Sequence, residues 1–189
     1  MLFLIGLGLK PKHLTLEALD AIKSCENVFA EEYTSRYGEG SIEDLEKMTG
    51  KTITVHSRKK VEEEMKNIVL NARDKNVALL CFGNPLTATT HIEFLIQAKK
   101  QGIPIRVIEG ISVTNALART GLDEYRFGRT TTVAEPKPNF SPVSFYDFIE
   151  QNQKLGLHTL CLLDTGDGNE FMSTKRGLEI LQGEHFRRE

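Results

Sequence analysis

Short apolar runs rich in valine, isoleucine and leucine alternate along this chain with longer stretches in which apolar residues return every three or four positions. Strands covered on both faces read as continuous apolar runs, so the alternation predicts a parallel sheet with crossover helices. The predicted strands are 2–7, 28–33, 52–56, 77–82 and 103–108. Between them Val61, Met65, Ile68, Val69 and Ala72 fall at i, i+4, i+7, i+8 and i+11, which is one face of a helix. Leu16, Leu19 and Ile22 predict the inner face of the first helix, and Ile92, Leu95 and Ile96 that of a later one. Ser41-Ile42-Glu43-Asp44 has the serine-to-acid spacing of a helix N-terminus.

After Gly110 the rhythm changes. A helix over 112–119 is expected to stop at Gly121, the usual left-handed cap. A short strand near 130–133 is followed by Pro136, Pro138 and Pro142, which exclude regular helix or a central strand and leave a linker or a binding loop. Then come a helix with Phe145, Phe148 and Ile149 on one face, a strong strand over 157–163 and a helix over 172–181. That is too little to close a second sheet. The chain is therefore read as an N-terminal α/β half with a parallel sheet, residues 1–110, and a partial C-terminal α/β half, residues 111–189. No internal repeat is visible.

Composition narrows the function classes. A chain of 189 residues with 40% apolar and 26% charged residues is long enough for a substantial core. Its net charge of −2 gives no reason to expect nucleic-acid binding, which needs clustered positive charge. The basic run Arg58-Lys59-Lys60 is answered by Glu62-Glu63-Glu64 and reads as a solvated helix start. Cys25, Cys81 and Cys161 are far apart and form no CxxC pair, so a reducing, cytoplasmic setting is expected. The apolar opening is too short to span a membrane and has no basic segment ahead of it, so it reads as a buried strand.

Ligands of open parallel sheets bind outside the carboxyl ends of the strands. Four loops there are chemically distinctive. Gly6-Leu7-Gly8-Leu9 lets the backbone approach a ligand, but Pro11 occupies the third glycine position of a dinucleotide fingerprint. Gly83-Asn84-Pro85-Leu86-Thr87-Ala88-Thr89-Thr90-His91 brings hydroxyls to a helix start, where they serve either as caps or as a polar ligand site. Glu109-Gly110-Ile111-Ser112 and Leu162-Leu163-Asp164 are the other two. His13, His56, His91, His158 and His185 show neither HExxH nor an i, i+4 pair, so a metal site is disfavoured.

At these loops the chain resembles the diphthine synthases, S-adenosylmethionine-dependent methyltransferases of the diphthamide pathway. The matching stretches are LFLIGLGL at 2–9, LTLEALDAIKSCENVFAEEYTS at 14–35, GNPLTATTH at 83–91, ISVTNA at 111–116, SPVSFYDFI at 141–149 and GLHTLCLLD at 156–164. The resemblance implies a tetrapyrrole-methylase fold, two α/β halves with the cofactor in the cleft between them, and a homodimer. Carried over position by position, it implies that Leu9, Asn84, Thr87, Ser112, Val113 and Leu163 bind S-adenosyl-L-methionine. Asn84 departs from the family's aspartate; it keeps the size and one acceptor oxygen but loses the charge.

The family's chain continues past the region matching 171–181, whereas here the sequence closes with Gln182-Gly183-Glu184-His185-Phe186-Arg187-Arg188-Glu189, so weak cofactor binding and slow transfer are expected of the chain as written. The implied activity is methylation of the amino group of the modified histidine on elongation factor two. Such a transfer needs alignment and exclusion of water more than acid–base groups, so no catalytic residue is singled out. The alternatives are methylation of a tetrapyrrole, a shortened non-catalytic cofactor-binding or assembly module, and a nicotinamide oxidoreductase using Glu31 or Glu32 to hold a ribose.

Overall fold

The computed structural model describes residues 1–166 and 171–188. The chain divides into two compact units, Met1–Ala116 and Leu117–Glu189. The division falls within a 3-10 turn, Val113–Thr120, rather than at the change of rhythm after Gly110. The backbone around Gly110 and Ser112 lies against Gly83, which keeps those residues with the first unit.

The first unit contains strands β1 (Leu2–Gly6), β2 (Asn27–Glu31), β3 (Thr54–His56), β4 (Val77–Cys81) and β5 (Ile105–Ile108), and helices α1 (Leu16–Ser24), α2 (Ile42–Thr49), α3 (Arg58–Asn71) and α4 (Ile92–Lys100). Each predicted strand forms, one or two residues shorter than the apolar run suggested. All pairings are parallel, in the order β3-β2-β4-β1-β5. Connections through α1 and α2 step one way across the sheet and those through α3 and α4 step back. Right-handed crossovers therefore put the two helix pairs on opposite faces. The core divides accordingly. Phe3, Ile5, Leu7, Ala78 and Leu80 meet Ala18, Ile22 and Leu45 on one side. Leu2, Leu4, Val77 and Leu79 meet Val61, Ile68, Val69, Phe94 and Ala98 on the other.

Helix α3 buries the face read from its spacing, and its first turn is solvated as expected, with Lys59 facing Glu63 at 3.8 Å; the Glu62 side chain lies outside the described residues. Helix α2 carries the anticipated capping box between Ser41 and Asp44 and ends at Gly50 with φ 70°. Two other helix faces need correction. In α1 the buried residues are Ala18, Ala21 and Ile22, while Leu16 is 81% exposed. Three-residue steps drift around a helix, leaving Leu16 about 120° from Ile22. In α4 the buried pair is Phe94 and Ala98, with Ile92 and Ile96 exposed. The two pairs share a spacing of four but sit two residues apart, roughly on opposite faces.

The second unit holds β6 (Thr131–Val133) and β7 (Cys161–Leu163), paired in parallel, with α5 (Ser144–Lys154) and α6 (Thr174–Arg188). Only three residues of the strand read over 157–163 enter the ladder. The helix expected over 112–119 is the 3-10 turn, closed by Gly121 at φ 83°. In the proline-rich stretch Lys137 and Phe140 exchange backbone hydrogen bonds of 2.8 and 3.0 Å around Asn139, a tight reverse turn. Buried Asn152 joins α5 to the strand approaches. Its amide nitrogen donates to the Arg129 carbonyl and the Thr159 hydroxyl, both at 2.8 Å, and its oxygen accepts from the Arg129 N–H at 2.9 Å. The three cysteines are free, and among the described residues no helix is long and apolar enough to cross a membrane.

Candidate cofactor site

Three glycines stand where β1, β4 and β5 end, and there the backbones meet. A Cβ on Gly6 would lie 2.5 Å from the Gly110 nitrogen and 2.7 Å from the Gly83 carbonyl oxygen. A Cβ on Gly110 would strike the Gly83 carbonyl and come within 2.7 Å of Gly6. Gly8 and Gly83 exchange backbone hydrogen bonds of 3.0 and 2.9 Å, both in the left-handed region at φ 71° and 70°. Only glycine allows these approaches. The effect is a carboxyl edge made of main chain and short polar side chains.

Leu9 is half-buried, and its N–H donates to His13 Nδ1 at 3.3 Å. Asn84 is the hub between the β4 and β5 loops. Its amide nitrogen donates to the Glu109 carboxylate and, at 3.4 Å, to the Gly110 carbonyl; its oxygen accepts from the Leu86 N–H at 3.0 Å. The Thr87 N–H donates to the Asn84 carbonyl at 3.3 Å. Ser112 is buried, its N–H donating to Asn115 Oδ1 at 2.9 Å and its hydroxyl lying 2.5 Å from that of Thr114. Val113 beside it is exposed. Five of the six residues implied by resemblance thus occupy neighbouring loops at one edge of the first unit. Leu163 ends β7 in the second unit, where its side chain packs toward Gly177 of α6. A cavity of about 160 Å³ in that unit, between residues 136–145 and α6, involves none of the six.

The threonines of the β4–α4 loop do not cap α4. The cap position is His91, which makes no capping hydrogen bond with its side chain. Its ring turns inward instead and is buried. Nδ1 lies 3.2 Å from the Pro85 carbonyl and Nε2 lies 3.3 Å from the Tyr33 hydroxyl. A carbonyl only accepts, so Nδ1 carries the hydrogen and Nε2 accepts from Tyr33 when the ring is neutral. Burial holds the His91 pKa below the ordinary imidazole value, against the opposing pull of the Glu31 carboxylate, which keeps the ring neutral near pH 7.

Glu31, at the end of β2, is fully buried. Its carboxylate accepts from the Tyr33 and Thr34 N–H groups at 3.1 and 3.0 Å and from the Thr34 hydroxyl. These donors leave it no role in holding a ribose, which removes that part of the oxidoreductase reading for Glu31. Glu31, Cys81 and His91 offer atoms within 4.8 Å of one another, a juxtaposition that chain spacing did not reveal. The carboxylate and both imidazole nitrogens already have hydrogen-bond partners, so the cluster is a satisfied polar network in the core. The Cys81 thiol is pushed well up by burial and by Glu31, which leaves it unreactive. Tyr37, also missed from sequence, donates to the Leu7 carbonyl at 3.3 Å and packs edge-on against Phe82 at 4.8 Å. Its pKa is raised by burial.

Comparison with known proteins gives this edge its context. The profile of the Tetrapyrrole (Corrin/Porphyrin) Methylases matches residues 1–184. Over 183 residues the chain is 42% identical to a diphthine synthase of Methanococcus aeolicus, covering 96% of this chain and 71% of the relative. A crystal structure of a putative diphthine synthase from Entamoeba histolytica superposes with a TM-score of 0.87 at 35% identity, covering all of this chain and 73% of that one. The chain belongs to the diphthine synthase family of tetrapyrrole methylases. A third relative, the diphthine synthase of Methanocaldococcus jannaschii, is 42% identical over 185 residues, 96% of this chain and 72% of its own. The α/β fold with a parallel sheet, expected from the alternation of apolar runs, is the fold of this family.

The loop set suits the methyl donor of such a family. The glycines let the three loops close on one another, which sets Asn84, Thr87 and Ser112 on neighbouring loops of one edge. The Glu109 carboxylate, held against Asn84, places a negative charge at the position where Asn84 itself has none.

Proposed function

We propose that this chain is a diphthine synthase, transferring methyl groups from S-adenosyl-L-methionine to the amino nitrogen of the modified histidine of elongation factor two. The observation that carries the reading is the meeting of the β1, β4 and β5 loops at Gly6, Gly83 and Gly110, in a chain similar to diphthine synthases along 96% of its length. Leu9, Asn84, Thr87, Ser112 and Val113 of the first unit and Leu163 of the second hold the donor in this proposal. When bound, S-adenosylmethionine supplies a methyl group already activated by a sulfonium.

The chain's own groups then have a limited task. Leu9 and Val113 give apolar contact and keep water from the nucleoside. Thr87, Ser112 and Asn84 fix orientation through hydrogen bonds, and the Glu109 carboxylate favours a cationic ligand over a neutral one. An amine attacks a methyl sulfonium directly, so the site has no need of a nucleophile of its own. The resemblance also supports a homodimer working in the cytoplasm. Mass spectrometry of elongation factor two carrying the unmethylated precursor, after incubation with this chain and S-adenosylmethionine, tests the reading. Additions of 14 mass units at the modified histidine support it; an unchanged mass, with a family enzyme active in parallel, refutes it.

A further inference from the structure

The β4–α4 loop, residues 82–91, carries Asn84 and Thr87 yet has little regular structure. Gly83 and Ala88 both adopt left-handed backbone, at φ 70° and 54°. Such a conformation is unfavourable for alanine and persists only where the surroundings fix it. From above, the loop is tied by the Gly8–Gly83 backbone pair and by Asn84 to Glu109. It is also tied by the edge-on contact of Phe82 with Tyr37 and by a chain of buried groups. The Glu31 carboxylate folds the turn after β2 by accepting from Tyr33 and Thr34; that turn aims the Tyr33 hydroxyl at His91 Nε2; and His91 Nδ1 donates to the Pro85 carbonyl, one residue from Asn84. Both rings are buried, with Phe94 edge-on to His91 and the Arg58 guanidinium over the Tyr33 ring.

We infer that Tyr33 and His91 are positioning residues for the donor site, Glu31 anchoring Tyr33 and His91 fixing the Pro85 carbonyl so that Asn84 and Thr87 are set before ligand binds. The inference rests on the proposed cofactor reading of these loops. Neither ring touches the ligand; each acts through Pro85. A loop held in its binding form avoids the ordering cost that a slack one meets on binding. Losing one link should therefore weaken donor binding and leave the transfer step itself nearly untouched. A general packing defect would instead lower stability without that selectivity.

The test uses Tyr33→Phe, which keeps the ring and removes only the hydroxyl, together with His91→Leu and His91→Asn. Asparagine can still donate from near the Nδ1 position toward Pro85; leucine cannot. Affinity for S-adenosylhomocysteine is measured by calorimetry, with KM for S-adenosylmethionine and kcat alongside. The expected result is affinity weaker by about fivefold or more for Tyr33→Phe. KM should rise in step while kcat stays within about twofold, and His91→Asn should recover part of the loss seen in His91→Leu. Wild-type affinity in Tyr33→Phe and His91→Leu, or a fall in kcat with KM unchanged, overturns the inference alone. A wild-type chain that fails to bind S-adenosylhomocysteine overturns the cofactor reading and this inference with it.

Discussion

Replacing Asn84 by aspartate, the residue that the family resemblance implies at this position, sets two effects against each other. The new carboxylate keeps the acceptor that the Leu86 N–H uses at 3.0 Å, and strengthens it. It loses the donor that now holds the Glu109 carboxylate and the Gly110 carbonyl, and it faces Glu109 with like charge. A hydrogen bond to a charged group is worth about 1.5–3 kcal/mol, and the exposure of Glu109 brings the loss toward the lower end, about 1.5 kcal/mol. Against that stands the attraction of an added negative charge for the sulfonium, about 1 kcal/mol or less for a partly solvated pair.

The neutral thioether of S-adenosylhomocysteine feels only the first effect. Asn84→Asp should therefore weaken that ligand about tenfold, and S-adenosylmethionine by clearly less. Calorimetry with both ligands on the wild type, Asn84→Asp, Glu109→Gln and the double variant separates the contributions. In the double variant the glutamine amide can donate to the new aspartate, so affinity for S-adenosylhomocysteine should return to within about threefold of wild type. Tighter S-adenosylhomocysteine binding by Asn84→Asp alone, or additive losses in the double variant, would show that the Asn84–Glu109 contact does not shape the site.

Gly110→Ala should destabilise the first unit by about 3 kcal/mol in urea unfolding, because its Cβ meets backbone at Gly83 and Gly6 rather than movable side chains. A midpoint unchanged from wild type would refute the close approach. Asn152→Ala should cost about 2 kcal/mol, since it leaves the Arg129 N–H and carbonyl and the Thr159 hydroxyl short of partners; urea unfolding followed by a probe in residues 117–188 reads it. The pKa values of His56 and His91 are both lowered, chiefly by burial. The unfolded chain then binds protons that the native chain refuses, so their stabilisation is complete above the ordinary imidazole pKa of about 6.5 and is lost as pH falls below it. Melting temperature should drop between pH 7 and pH 5, less steeply in His56→Asn; identical profiles would contradict the assignment for His56.

The sheet was legible because both its faces are covered. Central strands such as β1 and β4 are then uniformly apolar, and the run alone marks them. Helix faces were legible only where the period was long enough to fix the phase. Fourteen residues of α3 do that, whereas nine-residue α1 and α4 carry apolar residues on more than one side. The buried polar chain was not legible at all. Tyr33 and His91 lie 58 positions apart, and nothing in local spacing pairs them; only the placing of β2 beside β4 does. Glu31, read as one side of a ribose site, has its charge turned into the core by two backbone N–H groups three residues or fewer away.

The site's position, by contrast, follows from register once strand order is known. In the β1–β4 ladder Gly6 pairs with Cys81, and in the β1–β5 ladder Ile5 pairs with Ile108. Continued past the ladders, that register sets Gly83 level with Gly8, where the two backbones do pair, and Gly110 level with Leu7, so the glycines fall within two residues of one another along the carboxyl edge, with β1 in the middle. Side chains at Gly6 or Gly110 would force the strand ends apart, and Asn84 would then no longer reach Glu109 and Gly110; at Gly83 it is the left-handed backbone, φ 70°, that calls for glycine. The sequence shows each glycine beside a strand end, but singly each is compatible with an ordinary turn. Their meaning lies in the strand order β4-β1-β5, which brings residues 6, 83 and 110 together and so turns three separate loops into one polar rim.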